Sequence, residues 1–192
     1  MTEADRSAII LELAAQLRAH GSWAGETHVQ KAAYVMQELL GVPSEFRFVL
    51  YKHGPFSFEL RDFLNRMETW GYIRFEEQPY PYGPKIIEGD LPAMLRSESD
   101  APKLYGKGIE FVARQLGMCN VSELERISTA LFIERDSSVS AEERAERLNT
   151  LKPHVSLKEA SRAFERLEEI RRAATDGGFS LAGRGLGMGS AN

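Results

Sequence analysis

The chain has 192 residues, 43% of them hydrophobic, and a formal net charge of −4, which suffices for a core in one domain or two small ones. Net acidity lowers the expectation of duplex binding, since that affinity comes from neutralising phosphates. A single cysteine, Cys119, excludes an intramolecular disulfide and a cysteine-rich zinc centre. The N-terminus lacks a basic segment followed by an apolar one, so no signal peptide is read there. No run approaches the roughly 18 apolar residues of a membrane span. A soluble cytoplasmic protein is the expectation.

Ser7 to His20 places Ile9, Ile10, Leu13, Ala14 and Leu17 at helical spacing, and Gly21 is a natural stop. Thr27 precedes Gln30 by three residues, the spacing of a capping box. The second helix then carries the stripe Val29, Ala32, Ala33, Met36, Leu39 and Leu40, with Lys31, Gln37 and Glu38 off it. Phe46 to Tyr51 alternates and predicts a short strand. Gly54-Pro55 breaks it and is expected to fix the turn into a helix, with Pro in the first turn. That helix, Phe56 to Trp70, has Leu60, Phe63, Leu64 and Met67 on one face and stops at Gly71.

Two short strands, Tyr72 to Glu76 and Lys85 to Glu88, flank the turn-rich Pro79 to Pro84. Helix, helix, strand, helix and hairpin is the element order of a winged helix. Leu91 to Pro102 is polar and Pro-bounded, the best candidate boundary. Beyond it, Leu104 to Leu116 reads as helix, with Gly106-Lys107-Gly108 as a flexible start. Ser122 with Glu125, Ser140 with Glu143, and Ser156 with Glu159 carry the Ser-x-x-Glu pattern of three further helix starts. The expected fold is mainly α with a small β wing: a winged-helix-like domain at 1–91, a helical region at 92–176 packing on it, and a Gly-rich flexible tail at 177–192.

Catalytic sets are missing from the pattern. His20, His28, His53 and His154 include no pair at i, i+4, and there is no His-Glu-x-x-His. Nothing places a histidine beside Cys119, which reads as a small, semi-buried residue. Gly106-Lys107-Gly108 is too short to cradle a phosphate, and no Gly-x-Ser-x-Gly elbow occurs. The expectation is a non-enzymatic protein without metal or cofactor.

A winged helix would place its recognition helix in the major groove. Here helix 56–70 carries Arg61 and Arg66 against Glu59, Asp62 and Glu68. The wing, 71–90, carries Arg74 and Lys85 against Glu76, Glu77, Glu88 and Asp90. Four cations against seven carboxylates leave −3 where phosphates would sit, so DNA is disfavoured. A protein-binding module is the preferred class. Its candidate contact residues are Lys31, Tyr34, Tyr51, Lys52, His53, Phe56, Tyr80 and Tyr82, because aromatic side chains are favoured in interface hot spots. The turn-rich composition around Tyr80 and Tyr82 places them at the surface.

Val29-Gln30-Lys31-Ala32-Ala33-Tyr34, Leu50-Tyr51-Lys52-His53-Gly54-Pro55-Phe56 and Leu60-xx-Phe63-Leu64 resemble the pattern of the Panacea (SocA-like) antitoxin superfamily. The Tyr-x-x-Gly-Pro-Phe-Ser segment, the later Ser128-Thr129-Ala130-Leu131 and Leu151-Lys152-Pro153-His154 resemble the related YwgA-like bacterial proteins more closely. The likeness covers about residues 27–75 and 122–165. Lys52-His53 stand where the Panacea pattern has Trp. The resemblance implies a mostly helical, antitoxin-like protein that acts by contact with a protein partner, a toxin encoded beside it. Two other readings stay open. One is a DNA-binding regulator drawing on Lys31, Arg47, Lys52 and Lys107. The other is a small-molecule or anion sensor with a pocket near Gln30, Lys31, Tyr34, Tyr51 and His53, against which stands a Gln30 that merely caps its helix and an exposed Lys31.

Overall fold

The computed structural model describes residues 1–80, 82–136 and 139–182. The chain runs α1 (Glu3–Ala19), α2 (Glu26–Leu40), β1 (Val49–Tyr51), β2 (Gly54–Phe56), α3 (Phe58–Thr69), β3 (Ile73–Glu76), β4 (Lys85–Glu88), α4 (Pro92–Glu98), α5 (Ala101–Leu116), α6 (Val121–Glu134), α7 (Arg144–Leu151) and α8 (Leu157–Asp176). It is a mainly α protein with a small β wing. The wing, β3 with β4, is antiparallel in the register Ile73 to Glu88 and Glu76 to Lys85. Its β4 strand is tied back to the α1–α2 connection by Ile86 N–H to the Ala24 carbonyl, 3.0 Å.

Helix α1 is the centre of the core. Its stripe from Ile9 to Leu17 is buried, against α5 above all and also α2, α4 and β4. Helix α2 packs on α5 and α6, and α8 packs on α6 and α7. One continuous apolar cluster therefore joins Leu13 and Met36 of the first half to Val112, Leu131 and Leu167 of the second. The stretch 91–102 is no open linker: α4 buries Leu95, and Ser99 donates to Asp5 Oδ1 at 2.7 Å. At the start of the Gly-rich tail, Phe179 lies against Phe111 and Ala182 N–H bonds the Leu39 carbonyl at 2.8 Å. The rest of the tail, 183–192, lies outside the described residues.

Several local expectations need correction. Gly54-Pro55 does not open a helix. It forms β2, paired antiparallel with β1 in the register Tyr51 to Gly54, Leu50 to Pro55 and Val49 to Phe56. Helix α3 begins three residues after Pro55, capped by Ser57, whose hydroxyl accepts from Leu60 N–H at 3.1 Å. Helix α2 begins at Glu26 behind Gly25, with no side-chain cap, so Gln30 does not close a capping box. Helix α6 is capped by Asn120 with Glu123, which releases Glu125 to the interior. Gly106-Lys107-Gly108 lies within α5, where Gly108 is buried. The Ser156–Glu159 box forms as read, while Ser140 and Glu143 meet in a turn just before α7.

Candidate partner-binding site

The β1–β2 hairpin carries Lys52-His53 at its tip. Neither residue has a positive φ; Gly54 takes it instead, at +84°. A side chain there would be strained by that backbone and crowded by Thr129 Oγ1 at 3.0 Å, Ser128 Oγ at 3.2 Å and the Glu125 carbonyl at 3.3 Å. The requirement for glycine is thus both conformational and steric, because β2 lies directly on α6. Gly54→Ala should cost about 2 kcal/mol in urea unfolding, from the left-handed backbone and overpacking together. An unchanged midpoint would show that the hairpin sits less tightly on α6.

Four polar side chains hold the segment 44–57 in place. From α2, the Gln30 amide spans the Ser57 backbone, donating to its carbonyl and accepting from its N–H, both at 2.9 Å. One heptad on, Gln37 does the same to Phe46, at 3.0 and 2.9 Å. Lys31 Nζ donates to the Pro55 carbonyl at 2.7 Å. From the opposite side, Lys152 Nζ donates to the carbonyls of Tyr51, at 2.7 Å, and Lys52. Glu125 of α6 is the counter-charge, with Oε1 3.3 Å from Lys152 Nζ, both side chains 6% exposed. His154 Nε2 lies 3.5 Å from Oε1 and His53 Nδ1 3.6 Å from Oε2. Oε1 has no aligned hydrogen bond despite these neighbours. Its contribution is therefore Coulombic, and the low dielectric of the interior makes that contribution large.

Lys31 is 2% exposed, and burial lowers its pKa to about 8, against the pull of Glu125 in the other direction and with help from Lys152. This lysine is neither a surface contact nor an exposed off-stripe residue, because its ammonium is spent on the hairpin backbone. Tyr34, also 2% exposed, packs edge-on to Phe48 at 5.1 Å and near Phe132 at 6.5 Å. Burial pushes its phenol far above the ordinary tyrosine range. Both are interior residues: Lys31 holds the hairpin backbone and Tyr34 packs under Phe48. Neither Glu125 nor Lys152 is among the residues expected from sequence at this site, where the Ser122–Glu125 spacing points to a cap instead.

Outside this scaffold the hairpin presents an aromatic face. Tyr51, Phe56 and Phe58 form a mutual ring cluster with centroid separations of 5.9, 5.4 and 5.1 Å. Tyr51 is 43% and Phe58 47% exposed, with Val49 exposed beside them. The Arg61 guanidinium lies 4.5 Å over Phe56 and 5.7 Å over Phe58, its Nε bonded to Glu26 at 3.1 Å. Lys52 and His53 are exposed at the tip. Tyr80 and Tyr82 lie elsewhere, on the wing: Tyr80 is 97% exposed, and Tyr82 packs on Trp23 at 5.0 Å. The expected contact residues thus fall into a buried pair, a hairpin group and a wing group.

Both arginines of α3 are paired with carboxylates. Arg61 holds Glu26, Arg66 is 3.6 Å from Glu3, and Arg6 of α1 holds Glu59 at 2.7 Å. A phosphate on α3 would compete with a carboxylate at each arginine of that helix. Among the described residues, no three His, Cys, Asp or Glu are gathered as a metal would need, and no helix is long and apolar enough to cross a membrane. No family model matches the chain, and no curated protein matches it.

Proposed function

We propose that this is a non-enzymatic protein-binding module whose contact surface is the Tyr51–Phe56–Phe58–Arg61 face of the hairpin and α3. More particularly, we propose an antitoxin-like role, the partner being a toxin encoded beside it. The observation that carries the class is an exposed aromatic cluster on a backbone pinned by Gln30, Lys31 and Lys152. Rigid aromatic anchors beside an arginine suit a binding hot spot, because little entropy is lost when they are covered. The antitoxin role rests on the resemblance of the Gln30-Lys31-xx-Tyr34 and Gly54-Pro55-Phe56 segments.

The test is co-expression with the product of the adjacent reading frame, followed by affinity measurement. Tyr51→Ala with Phe58→Ala should weaken the complex by about 2 kcal/mol, roughly thirtyfold, with the unfolding midpoint nearly unchanged. Full affinity in the double variant would remove the hairpin face from the interface. Failure of that product to bind at all would remove the antitoxin reading.

A further inference from the structure

A second concave site lies away from the hairpin face. A cleft of about 550 Å³ opens between the α1–α2 connection, the wing and the α5–α6 turn, over the first turn of α2. That volume is in the range of small-molecule sites. Its aromatic wall is Trp23 stacked on Tyr82, with ring centroids 5.0 Å apart and planes inclined by 31°. The Trp23 indole is fixed, since Nε1 donates to the Gly83 carbonyl at 3.2 Å. Met118 and Val121 form an exposed apolar lip opposite.

The polar groups of the cleft are few and of both kinds. His28 lines it and is buried, and its Nε2 faces the Leu116 carbonyl at 3.2 Å. A carbonyl can only accept, so Nε2 carries the hydrogen and the neutral ring keeps Nδ1 as an acceptor. Burial lowers the His28 pKa, which favours that neutral form. Donors come from the Thr27 hydroxyl and from the first turn of α2, whose Gly25 start has no side-chain cap. Among the described residues, the only charged one lining the cleft is Glu26, and its carboxylate is bonded to Arg61. No lysine or arginine among the described residues lines it. With Glu26 neutralised by Arg61, the cleft offers an anion no unpaired cation and a cation no unpaired carboxylate.

We infer that this cleft binds an uncharged planar heteroaromatic molecule bearing both a hydrogen-bond donor and an acceptor, the chemistry of an aromatic carboxamide or a nucleobase. The ring lies against Trp23 and Tyr82. Its acceptor meets the Thr27 hydroxyl or the free N–H groups of α2, and its donor meets His28 Nδ1.

Nicotinamide is the probe, titrated into the full chain while the Trp23 indole N–H is followed by NMR. The signal is assigned by its loss in Trp23→Phe. A dissociation constant of about 1 mM or tighter is expected, a range open to a ligand of about nine heavy atoms. Nicotinate, the same ring with an anionic group, and 3-aminomethylpyridine, its cationic counterpart, should each bind at least about tenfold more weakly. Tyr82→Ala should weaken nicotinamide about fivefold, whereas Tyr80→Ala, at a residue 97% exposed, should not. No movement of the Trp23 signal, equal binding of the charged probes, or an unaffected Tyr82→Ala would each overturn the inference.

Discussion

Glu125→Gln is expected to destabilise the protein by about 3–5 kcal/mol, the range for removing one partner of a buried ion pair. Glutamine keeps the size of the side chain and removes only its charge. Lys152 then stays in the interior with its ammonium against the Tyr51 and Lys52 carbonyls but no carboxylate at 3.3 Å. Lys31, whose charge Glu125 also supports, loses the same help. For a chain of this length the melting temperature should fall on the order of 10 °C. Adding Lys152→Met to Glu125→Gln should restore part of the loss, because the uncompensated cation goes with it. The Tyr51 and Lys52 carbonyls sit at the exposed hairpin tip, where water can replace the lost donor. A shift of about 2 °C or less in the single variant would mean that the cluster is hydrated and its charges screened.

The second large effect depends on pH and belongs to Lys31. Its folded pKa, about 8, lies below the 10.5 of a free lysine. Below pH 8 the folded and unfolded chains both hold the proton, and the folded state bears the whole desolvation cost. Between about 8 and 10.5 the unfolded chain binds more protons, so stability rises with pH, by as much as about 3 kcal/mol from this residue. Above 10.5 neither state holds the proton and the contribution levels off. Other groups act the other way, Cys119 and Tyr34 among them. Burial raises the pKa of Cys119 and of Tyr34, so each takes stability away as pH rises through its unfolded value. The measurement is therefore a comparison of urea unfolding free energies for the protein and for Lys31→Met from pH 7 to 11. The difference between the two should change by about 2–3 kcal/mol across pH 8–10.5, in favour of the lysine form as pH rises. A constant difference would mean that Lys31 is not desolvated in the folded state.

The Gln30-Lys31, Gly54-Pro55 and Lys152 segments have a common physical explanation in the fold. Gln30, Lys31 and Tyr34 share α2 with Gln37, and the first two bind the backbone of the segment that contains Gly54-Pro55. The spacing between the two motifs is that of a clamp and what it holds. Gln30-Lys31 grips Ser57 and Pro55, and Gly54 clears the way for β2 to reach α6. The later Leu151-Lys152-Pro153-His154 segment holds the same hairpin from the other side. Such residues position the proposed contact surface and lie beneath it. That is why Lys31 and Tyr34 read as contacts in the sequence and lie inside the protein.

What the sequence determined by itself was local. The stripe of α2, the wing strands at Ile73–Glu76 and Lys85–Glu88, and the Ser156–Glu159 cap all follow from periodicity or from groups three or four residues apart. The mainly α fold with its small β wing followed from those pieces. Only the tertiary structure decided which polar residues are buried. Lys31 meets Pro55 across 24 residues of chain and Lys152 meets Tyr51 across 101. Nothing local distinguishes such a lysine from an exposed one, because the desolvation cost of burying it is offset only by partners that folding brings in. The same holds for β2, whose strand conformation rests on the pairing to β1 and the seat on α6, and for the cleft beside Trp23, whose walls come from three separate connections.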